Sequence, residues 1–332
     1  MIWLIIPVLT LHLVLVGVGS VGPLVAGIWE LVAFFRKLAP AEATARLLVI
    51  RRLAGVSLAA LSLGVGLGFL LWGVHAAFAS DPDLSVSAAM TRLWGTRWAS
   101  MLGTLGFSLA CQLLALWLDA RRHKEEMSFP GWGSAVLNLL AGANTTYHFP
   151  LLFVMFSTLI TTANLANDPL TRDLYRTLLG RADVWGRVIH HWGAMLLSVG
   201  VTLLHMPQRL ATAGPTGEMA ALRALRSGSQ LALAAILLQI LTGLTNLLLL
   251  PTNWQNLYLG ESPLAACLLV AGALGSFAVL PGLFELAFGG NSLNDATVRS
   301  ARRLGSALLG VWLAMVAARQ IAGTEVWRLL AG

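Results

Sequence analysis

Runs of apolar residues as long as a lipid bilayer is thick recur along this chain, separated by short stretches of Arg, Asp, Asn and Pro. A spanning helix needs roughly 20 mostly apolar residues and satisfies its own backbone hydrogen bonds, so each run predicts a transmembrane helix. The runs lie near residues 3–34, 54–79, 97–119, 133–165, 186–206, 228–250, 263–288 and 303–322. The expected fold is all-α, a polytopic membrane helix bundle of about eight transmembrane helices. Residues 41–53, AEATARLLVIRRL, predict a short amphipathic helix on the membrane surface, and 168–187, DPLTRDLYRTLLGRADVWGR, predict another. No linker is long enough to divide the chain, so residues 1–332 are expected to form a single membrane domain.

Composition removes the soluble alternatives. With 57% hydrophobic and 11% charged residues and a mean hydropathy of +0.75, the chain carries more apolar surface than a water-soluble core could absorb. The net charge of +7 does not signal nucleic acid here, because the basic residues sort by loop. Arg36, Lys37, Arg46, Arg51, Arg52, Arg121, Arg122, Lys124, Arg209, Arg223, Arg226, Arg299, Arg302 and Arg303 follow odd-numbered runs and form the larger share of the 22 Lys and Arg residues. The positive-inside rule then places these loops in the cytoplasm and both termini outside. The first run lacks a basic start and a small-residue cleavage site, so it is expected to remain as the first helix. Cys111 and Cys267 have no metal or haem-attachment spacing.

The candidate chemistry is histidine. His12, His75, His148, His190, His191 and His205 lie in or at the ends of apolar runs, and only His123 is plainly in a loop. Intramembrane ionisable residues are costly unless paired, and they mark ligands, proton paths or cofactors; haem b is one cofactor held by neutral imidazole inside a helical bundle. By depth, His12, His75, His190 and His191 are expected to share an outer layer. His205 follows His191 by 14 residues, about 21 Å along a helix axis and near the same face. His148 is open between a cofactor role and a helix–helix hydrogen bond. Among the acids Glu30, Asp119 and Glu285, Glu30 lies 18 residues after His12, five turns, so the two should share one face from opposite ends.

Residues 9–37, LTLHLVLVGVGSVGPLVAGIWELVAFFRK, resemble the first helix of subunit I of the cytochrome bd quinol oxidases, with His12 at the haem-ligating position and Glu30 at that of the glutamate 18 residues later. The stretch AGVSLAALSLGVGLGF is similar to that family's next segment, and WGRVIHHWGAMLLSVGVTLL resembles its fifth helix, where His190 or His191 takes the place of the ligand to the low-spin haem. The resemblance covers about residues 1–250, leaving 251–332 as accessory helices. There are departures: SMLGTLGFSLACQLLALWLD has no glutamate before Asp119, the outer loop shortens to TNWQNLYLGES, and SPLAACLLVAGALGSFAVL lacks the ligating methionine, for which His75 is the candidate replacement.

The resemblance implies a multi-pass protein of the bacterial inner membrane, an electron-transfer subunit holding one to three haems b. It would move electrons between a quinol or periplasmic donor and an acceptor, oxygen among the candidates, with Glu30 handling protons. Iron would be held by His12, His75, His190 or His191. It also implies a second membrane subunit or a cytochrome c-type redox partner beside the lipid. The competing expectation is a haem-free transporter or scaffold whose histidines pack helices or relay protons. No GxSxG, HExxH or Walker motif points elsewhere.

Overall fold

A computed structural model describes residues 2–36, 38–77, 98–124, 131–161, 171–290 and 292–331. The apolar runs are helical, as a backbone in lipid must be. In chain order the helices are α1 (Ile2–Phe35), α2 (Pro40–Ala77), α3 (Trp98–Lys124), α4 (Trp132–Thr161), α5 (Arg172–Leu179), α6 (Ala182–His205), α7 (Pro207–Ala211), α8 (Gly214–Leu249), α9 (Thr252–Asn256), a π-helical turn Leu257–Glu261, α10 (Pro263–Phe288) and α11 (Asp295–Ala331). Among the described residues, 7 helices are long and apolar enough to cross a membrane: α1, α2, α3, α6, α8, α10 and α11. The other long helix, α4, is diluted by Asn138, Asn144 and His148.

Two of the expected boundaries move. The surface helix expected over 41–53 is not separate but forms the first half of α2, one helix of 38 residues. Ala45, Val49 and Leu53 recur every four residues and are buried against α1, α6 and α8, and no Gly or Pro interrupts the run before Gly55, so the helix carries through. Its start is tied to α8 by Arg223 and Glu42, 2.7 Å apart. In the stretch 168–187, α5 has eight residues, capped by the Thr171 hydroxyl, and α6 begins after a turn at Gly180; residues 168–170 lie outside the described residues.

α1 is central, packing on α2, α4, α6 and α11, while α6 packs on α1, α4, α8 and α11. Small residues set these distances. A Cβ added at Gly19 would stand 2.6 Å from Leu61 of α2, and one at Gly200 would stand 2.8 Å from the Ala232 nitrogen of α8, so the backbones approach as closely as glycine permits. The apolar core runs between these helices, while Leu241, Leu244 and Leu248 of α8 and Leu274, Phe277 and Phe284 of α10 face outward and are exposed. An outward face of that kind is suited to lipid.

Candidate functional site

α6 places two adjacent histidines on different sides, because successive helical residues diverge by about 100°. His190 faces α8, where its Nδ1 lies 3.0 Å from the Thr242 hydroxyl and Gly243 leaves room for the ring. The Gln239 amide donates to the His190 carbonyl. His191 faces α4, its ring 5.1 Å from that of Phe153, and its Nδ1 bonds the Arg187 carbonyl at 2.9 Å. On α1, His12 bonds the Gly64 carbonyl of α2 through Nδ1 at 2.7 Å, with the ring seated over Gly68. His205 bonds the Val201 carbonyl at 2.9 Å and sits over Gly305 of α11.

These contacts fix the tautomer. A carbonyl only accepts, so Nδ1 of His12, His191 and His205 must carry the proton. The Thr242 hydroxyl already donates to the Leu238 carbonyl at 2.7 Å, so the same holds for His190. Each ring is left with its Nε2 lone pair, and among the described residues no hydrogen bond uses any of these four Nε2 atoms. An imidazole anchored through Nδ1–H with Nε2 free is the arrangement a metal-ligating histidine adopts, so the donor chemistry fits an axial haem ligand. Among the described residues no cluster of three or more His, Cys, Asp or Glu side chains forms a cage for a bare metal ion.

Depth agrees better than direction. α1 and α6 run the same way, and Gly17 meets Met195 and Ser198. Five residues back from that level stand His12 on α1 and residues 190–193 on α6, so His12 and His191 share a layer to within about one turn. They occupy neighbouring seams, His12 between α1 and α2, His191 toward α4. His75 is in the last turn of α2, but its side chain, like that of His123, is outside the described residues. His148 has the Tyr147 ring against its own at 5.0 Å, and lies on the α4 face that carries Ser134, Asn138 and Thr145.

Cations flank His191. Arg187 pairs with Asp183 at 2.6 Å, and Arg319 of α11 is close enough to His191 and Arg187 to act on their charge. The Arg319 guanidinium lies over Trp254, 4.9 Å from its ring centre. Trp254 is buried under that cation, and the Trp192 N–H donates to the Thr146 carbonyl at 2.8 Å. Beside them, burial pushes the Tyr258 phenol up from its ordinary value, against the pull of Arg319. No model of a known protein family matches this chain, and no curated protein matches it either.

At the opposite end of α1, Glu30 is buried at 1% exposure. It accepts from the Ser134 hydroxyl and from Arg122, 3.4 Å away, which also faces Asp119 at 3.6 Å. His12 and Glu30 do fall on one stripe of α1. Their partners differ, α2 for one and α3 with α4 for the other, because the neighbouring helices cross α1 instead of following it.

Sequence reasoning did not find the polar seam that continues from Glu30. Asp119, Gln112 and Ser108 repeat at helical spacing along α3, and Ser134, Asn138 and Thr145 do so along α4. The Gln112 amide donates to the Gly19 carbonyl at 3.4 Å, and Asn144 bridges Thr104 and Ser108 at 2.8 Å each. Both polar side-chain atoms of Asn138, the Gln112 oxygen, the Ser20 hydroxyl and one Glu30 oxygen are buried with no hydrogen-bond partner among the described residues. Buried polar atoms left in this way call for ordered water. The i, i+4, i+11 spacing of the α4 residues was the available signal.

Proposed function

We propose that this chain is a b-type haem-bearing electron-transfer subunit of the bacterial inner membrane, similar to subunit I of the cytochrome bd quinol oxidases. The observation that supports it is the shared protonation pattern of the half-buried histidines, with Nδ1 anchored and Nε2 free. In this reading His191 and His12 are axial ligands in one layer, and His75, His148, His190 and His205 are the remaining candidates for a total of one to three haems. Haem b supplies a one-electron carrier whose potential the surrounding low-dielectric shell sets. Arg187 and Arg319, which lie near His191, would supply cationic partners for the carboxylates of a haem held there. Glu30, reached through the polar seam, takes up the accompanying proton from the opposite face.

In the same reading α4 is the eighth crossing, both termini lie outside, and electrons pass between a quinol or periplasmic donor and an acceptor such as oxygen. A second membrane subunit would cover part of the exposed α8 and α10 faces. A reduced-minus-oxidised absorption spectrum of the full chain, purified from haem-replete cells, tests this. Haem b α-bands that diminish in His12→Ala and His191→Ala support the reading, and a spectrum without them overturns it.

One observation favours the haem-free alternative: His12, His190 and His205 each sit over a glycine of an antiparallel neighbour, as helix-joining groups would. In that case His12→Ala, His190→Ala and His205→Ala each lose thermal stability and no band exists to change.

A further inference from the structure

Most arginines of this protein that meet a carboxylate do so in short pairs: Arg122 with Glu30 and Asp119, Arg181 and Arg187 with Asp183, Arg223 with Glu42. One group does not. At the end of the bundle away from the N-terminus, a cavity of about 440 Å³ opens between α1, α2, α6 and α11. Arg52, Arg209 and Arg302 line it, and among the described residues none of them is ion-paired. Arg302 is oriented instead by donating to the Gln208 side-chain amide oxygen at 3.0 Å. It also lines an adjoining cavity of about 380 Å³ with Arg299, Arg303 and Ser306.

The walls differ from the mouth. Val14, Val56, Val201 and Leu309 make one side apolar, and His205 presents an imidazole whose Nδ1 is already held by Val201. Three unpaired guanidiniums converging on one space repel one another and call for an anion, and planar N–H forks match phosphate oxygens. An apolar wall directly beneath them calls for hydrocarbon. The two demands meet in one ligand class.

We infer that this cavity binds the phosphate headgroup of an anionic phospholipid, with Arg52, Arg209 and Arg302 on the phosphate and an acyl chain along Val14, Val56, Val201 and Leu309. The site does not depend on the haem reading, and its test does not use haem.

The test uses the full chain in detergent, with phosphatidylglycerol, phosphatidylcholine or inorganic phosphate added, read by native mass spectrometry and thermal melting. Phosphatidylglycerol should remain bound and raise the melting temperature, and phosphatidylcholine should do neither. Arg52→Gln with Arg302→Gln should weaken phosphatidylglycerol retention by about tenfold or more, whereas Arg172→Gln with Arg176→Gln, at the other end of the bundle, should leave it unchanged. Equal retention of the two lipids by the unaltered chain overturns the proposal, and needs no variant to fold. Stabilisation by inorganic phosphate alone to the same extent overturns the lipid assignment in favour of a free-anion site. Unchanged retention in the Arg52 and Arg302 variant overturns the assignment of these residues.

Discussion

At the scale of single residues, the glycines beneath the histidines and the buried ion cluster carry the sharpest consequences. A Cβ at Gly305 would stand 2.4 Å from His205, and one at Gly68 would stand 2.8 Å from His12, while Gly55 has open space. Gly305→Ala and Gly68→Ala should each destabilise by about 1–3 kcal/mol through overpacking. Gly55→Ala, in the interior of α2, should be neutral or stabilising. Thermal melting in one detergent compares all three, and equal midpoints would refute the seating of the rings. Arg122→Gln leaves Glu30 and Asp119 buried together without their cation, which should cost about 3–5 kcal/mol. Asn138→Leu removes two buried atoms that have no protein partner, so it should cost far less. A loss of folded protein in Asn138→Leu as large as in Arg122→Gln would contradict that ranking.

At the scale of elements, α2 is the informative case. Its amphipathic first half resembles a surface helix because Arg46, Arg51 and Arg52 punctuate an apolar stripe. What the stripe meets is not lipid but the packed side chains of α1, α6 and α8. A break between the two halves is therefore excluded by packing, and Ala54→Pro should cost about 3 kcal/mol or more by removing a hydrogen bond in mid-helix. The readout is the yield of monodisperse protein on size exclusion. An unaltered yield would mean that the two halves are joined by a flexible link. The glycines of α1 act at this scale too: with Gly17, Gly19, Gly22 and Gly27 it can approach three different helices closely, which makes it the centre of the bundle.

At the scale of the whole molecule, the alternation of helices puts Thr177 and Ser300 at opposite ends, both exposed. The positive-inside reading of the arginines predicts which end faces the cytoplasm. In a chain with Cys267 replaced by alanine, Thr177→Cys should react with a membrane-impermeant maleimide on intact cells, and Ser300→Cys only after permeabilisation. The reverse pattern would invert the orientation and move Glu30 and the arginine-lined cavity to the outer side.

The amino-acid sequence by itself determined the helical class and the membrane as solvent, since block length and hydropathy depend on local composition alone. It also brought out His12, the His190–His191 pair and Glu30, because a polar residue in a long apolar run is visible without knowing its neighbours. Only the tertiary structure decided what each of them faces. Which way a ring points across a seam depends on where the neighbouring helices cross. That separates His190 from His191, sends His12 toward α2, and gathers Asp119, Gln112, Ser134 and Asn138 into one buried line. It also leaves Arg52, Arg209 and Arg302, spread over 250 residues of chain, around a single cavity.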